Sequence, residues 1–265
     1  MKYAFISGGA SGLAQASIKE LLKAGYTVFC ADIAYKENKQ DGNLHCIKMD
    51  ITKDQDILSA FEYVKKFTDK LDILSNFAGI VTLGSLVELP IDTLDRIMAI
   101  NLLGTYKVNA VFFPLVQNAK GRIINISSEY GEITGLPFHG YYGISKHAIE
   151  TYNESLRREL VSSGVKVICI RPGAFKTNMQ AGVSGQFEKV VENTKMYKSQ
   201  LSKMQGMMNA ELDKAKPAEI FAKVYMRAVT SKHPKRYYKT NNSLKMKMLG
   251  FMPTAMQDWA FKKFF

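Results

Sequence analysis

A β-like run, Lys2 to Ser7, passes directly into Gly8-Gly9-Ala10-Ser11-Gly12-Leu13-Ala14 and then into a helical pattern from Gln15 to Ala24. Gly25 closes that helix, and a second β-like run, Thr27 to Ala31, ends at Asp32. No other stretch constrains the fold as strongly. It spells a βαβ unit with a glycine-rich first turn. Glycine lets the backbone approach closely, and the unpaired N–H groups and dipole of the following helix attract phosphate. Asp32 stands 20 residues after Gly12, at the end of the second strand. A carboxylate there can accept hydrogen bonds from ribose hydroxyls and repels a 2′-phosphate. The turn therefore predicts a dinucleotide, with NAD favoured over NADP. Its spacing, G-x-x-x-G-x-A, differs from the general G-x-G-x-x-G. Lys36 and Lys39 follow Asp32 and are expected to face solvent.

The alternation continues along the chain. Strands are predicted at Leu44–Met49, Leu71–Asn76, Gly121–Ser127 and Val165–Arg171, and helices at Asp54–Phe67, Leu94–Leu115 and Tyr142–Leu160. The strands are near-continuous apolar runs, as in a parallel sheet buried on both faces. The expected fold is α/β: a doubly wound parallel sheet of Rossmann type, with helices on both faces. A chain of 265 residues, 46% hydrophobic, suits one large domain spanning 1–265. Within it, residues 178–216 read as a mostly helical substrate lid interrupted by Gly182, Gly185 and Gly206, and 241–265 as a C-terminal amphipathic segment. Pro217–Val229 is a further helix and Lys235–Thr240 a last short strand. No apolar run approaches the ~18 residues of a membrane span. The N-terminus begins at once as a strand, so no signal peptide is expected. Cys30, Cys46 and Cys169 lack disulfide or metal spacing and read as core residues of a reducing, cytoplasmic protein. His45, His139, His147 and His233 share no ligand spacing, and no metal site is expected.

Tyr142 and Lys146 lie four apart on a predicted helix, on the same face. A free phenol has a pKa near ~10 and is a poor base at neutral pH. A neighbouring ammonium favours the phenolate, and a phenol so tuned can exchange a proton with an alcohol or carbonyl. The expectation is that Lys146 lowers the pKa of Tyr142. Tyr141 is five residues from Lys146 and fits less well.

These features together resemble the short-chain dehydrogenase/reductase family over nearly all of residues 1–240. Ser7 to Ala14 resembles T-G-x-x-x-G-x-G, with Ser7 for Thr and Ala14 for the third Gly. Asp50-Ile51 resembles the adenine-contacting pair. Asn76-Phe77-Ala78-Gly79 resembles N-N-A-G, with Phe77 in place of the second Asn. Asn101, the pair Ser127-Ser128, Tyr142-x-x-x-Lys146 and Pro172-Gly173-Ala174-Phe175-Lys176-Thr177 match further motifs in order. The resemblance implies a cofactor site of Gly8, Ser11, Gly12, Leu13, Asp32, Asp50, Ile51, Asn76, Ala78, Gly79, Tyr142, Lys146, Pro172, Gly173, Phe175 and Thr177. It implies Tyr142 as general acid/base, Lys146 as its partner and ribose contact, Ser128 on the substrate oxygen with Ser127 as the alternative, and Asn101 supporting a proton route. It also implies a homodimer or homotetramer.

Substrate choice in such a family rests on the region after Thr177. Here that region is rich in Met, with Phe187 and Tyr197, which suits a lipophilic small molecule. The ending Arg236-Tyr237 … Met252-Pro253 … Asp258-Trp259 resembles the hydroxysteroid and retinol dehydrogenase branch. Met179, Met204, Met207 and Met208 read either as packed core or as a pocket wall; Glu129 and Tyr130 either flank the substrate or shape the turn after Ser128, and His139, on the loop before Tyr142, is a candidate to line the pocket or else a residue of that loop alone. A 3-oxoacyl-carrier-protein reductase and a non-catalytic dinucleotide sensor are the alternatives. The net charge of +12 is concentrated at the end: residues 195–265 hold 15 basic against 4 acidic residues and 9 of the 13 Met. Without a recognised motif this does not indicate nucleic acid. The tail has three readings: a cover over the pocket or subunit contact, peripheral contact with an anionic membrane surface, or attraction of an acidic substrate.

Overall fold

The computed structural model describes residues 1–133 and 135–264, with the backbone alone for 178–183, 211–213 and 264. Among the described residues, eight strands form one sheet: β1 (Lys2–Ser7), β2 (Tyr26–Asp32), β3 (Lys39–Asp41), β4 (Leu44–Lys48), β5 (Ile73–Asn76), β6 (Arg122–Ile126), β7 (Lys166–Pro172) and β8 (Tyr237–Thr240). Their order is β3-β4-β2-β1-β5-β6-β7-β8. All neighbours are parallel except β3, which pairs antiparallel with β4. The chain winds outward from β1 in one direction and, after returning to β5, outward in the other. The strand order thus reverses between β1 and β5, and the crevice beyond their carboxyl ends is where open α/β sheets bind ligands.

Alternating strand residues supply two cores. Phe5, Phe29, Ile47 and Ile123 face one side, against α2 (Asp54–Lys65) and a long helix holding Val108 and Phe112. Ala4, Ile6, Val28 and Ile124 face the other, with Ile18 and Leu21 of α1 (Gly12–Lys23). Phe221 and Tyr225 of α8 (Ala218–Thr230) complete that side. Each Val, Leu, Ile or Phe among them contributes about 1.5–3 kcal/mol when fully buried. The strand and helix positions follow the sequence pattern with shifts of one to three residues at their ends.

Four differences from expectation have physical reasons. β3 was not anticipated; Lys39-Gln40-Asp41 is exposed throughout and carries no apolar alternation. The helix expected at 94–115 runs over Thr93–Asn118, as α3 (Thr93–Met98), a π-helical turn (Ala99–Gly104) and α4 (Thr105–Asn118). At 26 residues and a mean hydropathy of 1.3 over its most apolar window, it is long and apolar enough to cross a membrane, contrary to the sequence expectation. In this fold it is a core helix whose Ile97, Val108, Phe112, Leu115 and Val116 are buried. The glycines of the 178–216 region do not interrupt it: α6 (Asn178–Asn193) and α7 (Lys198–Asp213) run through them. Gly185 and Gly206 meet nothing within 4 Å, so they cost only the ~1 kcal/mol of an open helical glycine. Phe187, Val191, Leu201 and Met204 hold these helices together and onto Leu83.

Candidate active site

A cleft of about 300 Å³ opens at the switch point, lined by residues from the ends of β1, β2, β4, β5, β6 and β7. Its floor is the glycine turn. Gly8 has a φ of +74°, and a Cβ there would lie 2.4 Å from the Ala78 nitrogen. A Cβ on Gly9 would lie 2.2 Å from the Cys30 sulfur. The turn therefore lies flat against β2 and the end of β5, which brings its amides to the cleft. Ser11, the N-cap residue before α1, makes no side-chain capping bond, and the first turn holds no acidic residue. The N–H groups of that turn remain for an anion. The cradle, the uncapped helix start and Asp32 fit the nucleotide that the sequence implies.

Asp32 has a structural task as well. Its Oδ2 accepts from the Ala10 N–H at 3.0 Å and its Oδ1 from the Ala34 N–H at 2.9 Å. The same carboxylate thus fixes the glycine turn while lining the cleft. Asp50 is held below the usual carboxylate range: burial pushes it up, but hydrogen bonds from the Thr52 hydroxyl and N–H, with Lys53 nearby, outweigh that. Ser11, Gly12, Leu13, Ile51, Ala78, Gly79, Pro172 and Thr177 also line the cleft.

Tyr142 and Lys146 stand on α5 (Gly140–Glu159), one turn apart, and both line the cleft. The Lys146 Nζ lies 5.6 Å from the Tyr142 ring centroid and donates to the Ile126 carbonyl at 3.0 Å. Burial pushes the Tyr142 phenol up to about 12; hydrogen bonding with the Ser128 side chain pulls it back and the Glu129 carboxylate adds to the rise. Burial brings Lys146 down to about 8, opposed by the nearby Cys169 and Glu150. The expected depression of the Tyr142 pKa by Lys146 is thus reversed in the protein alone. The ammonium sits beside the ring, bonded to a carbonyl, and desolvation of both groups is the larger effect.

Asn101 falls in the π-helical turn, a distortion often found at functional positions. Its Oδ1 accepts from the Ile80 N–H at 2.8 Å, and its Nδ2 donates to the Ile80 carbonyl at 3.0 Å and the Ser145 hydroxyl at 2.9 Å. The Ser145 hydroxyl in turn donates to the Tyr142 carbonyl at 2.8 Å. Asn101 therefore ties the loop after β5 to the helix turn that carries Tyr142. Beside Tyr142, the Tyr130 ring packs edge-on at 5.8 Å and stacks on His139 at 5.0 Å. Tyr141, by contrast, points its hydroxyl at the Leu86 carbonyl. Ser127 lines the cleft; Ser128 stands next to it, accepting from the Tyr130 N–H at 3.3 Å.

A family model described as short chain dehydrogenase matches residues 2–187. The chain belongs to the short-chain dehydrogenase family. Within this family it falls in the hydroxysteroid and retinol dehydrogenase branch. It is 30% identical to retinol dehydrogenase 7 of Mus musculus over 97% of this chain and 86% of the relative. It is 28% identical to 17-beta-hydroxysteroid dehydrogenase type 6 of Homo sapiens over 97% and 87%. The fold matches a short-chain dehydrogenase/reductase from Burkholderia phymatum in complex with NAD, with a TM-score of 0.75, 20% identity and 91% and 89% of the two chains covered. A short chain dehydrogenase from Burkholderia cenocepacia in complex with NADP matches with 0.74, 18%, and 100% and 99%. As a member of this dehydrogenase family, the protein is an NAD(P)-dependent oxidoreductase of alcohols and ketones.

Not every residue assigned to the dehydrogenase site from sequence reaches the cleft. Asn76 is 2% exposed and bonded to Ser7, Asn109 and Asn125. Phe175, 2% exposed, packs edge-on against Phe221 in the core. Gly173 sits under the chain at Asn241, whose carbonyl would be 2.0 Å from a Cβ. Its role there is to let β7 and the segment after β8 pass closely. Phe77 lines the cleft but also packs on Phe221 and Tyr225, so the position read as a lost Asn joins an aromatic cluster. Met204 is packed core, Met207 is exposed, and the Met179 side chain lies outside the described residues. Sequence reasoning missed Ser145 and Ile80. Ser145 lies three after Tyr142 on one helical face, a signal too common to stand out; Ile80 acts through its backbone.

Proposed function

We propose that this protein interconverts a lipophilic secondary alcohol, of hydroxysteroid or retinoid type, and its carbonyl counterpart, with NAD as cofactor. The nicotinamide, when bound, takes or supplies the hydride. Tyr142 takes the hydroxyl proton in oxidation and returns it in reduction. Ser128 holds the substrate oxygen beside the phenol. Lys146 supplies positive charge that stabilises the phenolate as it forms, and the Asn101–Ser145 pair fixes the turn bearing Tyr142. The observation that carries this reading is the convergence of Tyr142, Lys146 and Ser127 in the glycine-floored cleft, with Ser128 behind Ser127 hydrogen-bonded to the Tyr142 phenol. Asp32 at the second strand supports NAD over NADP. The names of the relatives support a lipophilic substrate.

Cofactor titration followed by a panel of sterols, retinol, acyl substrates, sugars and short hydroxyacids tests it. The expected result is tighter binding of NADH than NADPH and turnover concentrated on sterols or retinol. Asp32→Ser should narrow the NADH preference by at least about ten-fold, since it removes both the ribose acceptor and the charge facing a 2′-phosphate. NADPH preference in the wild type, or turnover confined to sugars, would overturn the reading.

A further inference from the structure

Three consecutive residues after β6 act on Tyr142. Ser128 hydrogen-bonds to the phenol, the Tyr130 ring packs edge-on at 5.8 Å, and the Glu129 carboxylate between them acts on the phenol by its charge. They belong to a short 3₁₀ turn, Glu129–Gly131, with Ser128 as its cap. The turn's own bonds are long: the Gly131 N–H donates to the Ser128 carbonyl at 3.1 Å, and the Glu132 N–H to the Glu129 carbonyl at 3.3 Å. A piece this short depends on outside contacts for its place. Gly131 fixes one end against α5, where a Cβ would lie 2.9 Å from the Lys146 carbonyl.

Glu129 fixes the other end. It is 9% exposed, and its Oε2 accepts from the Ser243 N–H at 2.7 Å, 114 residues along the chain. A carboxylate bonded to a backbone N–H at that distance makes one of the stronger hydrogen bonds. Ser243 stands just before α9 (Leu244–Phe251), in a segment fastened also to the loop after β7. The Gly173 N–H donates to the Thr240 carbonyl at 2.9 Å, and the Asn241 Nδ2 donates to the Ala174 carbonyl. Asn241 has a φ of +57°, a conformation asparagine tolerates, at the bend between these contacts and Glu129. Residues 240–243 thus strap the loop between Pro172 and Thr177, both lining the cleft, to the turn that carries Ser128.

We infer that Glu129 is a positioning residue for the reaction: through Ser243 it locks the Ser128–Tyr130 turn against Tyr142, and its charge sets the pH range in which the phenol exchanges its proton. The inference rests on Tyr142 and Ser128 acting as proposed above. Ser128, Glu129 and Tyr130 face the phenol from the turn after β6, His139 stacks behind Tyr130, and Lys146 faces the ring from α5 itself. A carboxylate near a phenol disfavours the phenolate. Removing the Glu129 charge therefore moves the titration of Tyr142 to lower pH, whether the phenol takes a proton in oxidation or gives one in reduction.

Three variants separate position from charge. E129Q keeps an oxygen for the Ser243 N–H and removes the charge; E129A removes both. S243P removes the donor alone, at a residue whose φ of −72° proline shares. Each full-length variant is titrated with NADH and assayed with NAD across pH on retinol and on a hydroxysteroid. The titration of Tyr142 is followed in the NAD complex by NMR of isotope-labelled tyrosine Cζ, its signal being the one lost in Tyr142→Phe. All three variants should bind NADH within about three-fold of wild type. E129A and S243P should lose kcat by about ten-fold or more at their best pH, and E129Q should recover to within about three-fold. In E129Q the Tyr142 titration and the pH profile should both move down by about half a unit or more. Wild-type turnover in either E129A or S243P, turnover in E129Q no better than in E129A, or an unmoved Tyr142 titration in E129Q would overturn the inference. Lost NADH binding would also overturn it, by making Glu129 a folding residue. If the wild type turns over neither substrate, the substrate reading fails and the NMR titration alone decides the inference.

Discussion

Two side chains four residues apart are shifted against their chemistry before any ligand arrives. Tyr142 is pushed up to about 12 and Lys146 down to about 8, each mainly by burial. The spacing was legible because the helical period is local; the direction of the shifts was not, because burial is set by β6, the glycine turn and the loop after β5. Lys146 gives a test through stability. Its folded pKa lies below the ordinary lysine value of 10.5, so the charged form is disfavoured in the folded state. Below pH 8 both states are protonated and the full penalty is present. Between about pH 8 and 10.5 the unfolded chain binds more protons, so this group's contribution makes stability rise with pH, by up to about 3 kcal/mol. Tyr142, with a raised pKa, has the opposite sign between about pH 10 and 12. Unfolding free energies of the wild type and Lys146→Met, each from pH 7 to 10, should therefore diverge with pH, the wild type gaining relative to the variant. A constant difference across that range would contradict the assignment.

At the scale of elements, a run of buried asparagines stitches the sheet to its helices. The Ser7 hydroxyl donates to Asn76; Asn76 Nδ2 donates to Asn109 at 2.7 Å and Asn125 at 2.9 Å; Asn125 Nδ2 donates to Asn153 at 3.0 Å. The chain thus crosses from β1 and β5 through β6 to α4 and α5. Asn76 was legible only as part of a motif, and the motif suggested the cofactor. The helical residues Asn109 and Asn153 gave no signal at all, since an asparagine in a helical pattern is usually a surface residue and only tertiary packing gives it partners. Asn125→Leu would leave Asn76 and Asn109 donors and the Asn153 acceptor without their partner. At about 1–3 kcal/mol for each group left unsatisfied, denaturant unfolding should show a loss of about 3 kcal/mol or more. The exposed control Val161→Ala should stay within about 0.5 kcal/mol. A loss below about 1 kcal/mol for Asn125→Leu would mean that the run is incidental.

For the whole molecule, the alternating pattern disclosed the doubly wound sheet, because both faces of a parallel sheet must be apolar. It did not disclose the order of strands, and hence the cleft, except through the glycine turn. Nor did it show that Glu88 organises the helices after Thr177. That carboxylate accepts from the Thr194 hydroxyl at 2.6 Å, the Lys195 N–H at 3.0 Å and the Met196 N–H at 2.9 Å, across more than a hundred residues. Turnover depends on Tyr142 acting in this cleft. The most direct measurement compares wild type with Tyr142→Phe, reading NADH binding and single-turnover hydride transfer on an active sterol or retinoid substrate. The variant is expected to bind NADH within about three-fold of wild type and to lose transfer by about a hundred-fold or more. Full transfer by Tyr142→Phe would contradict it.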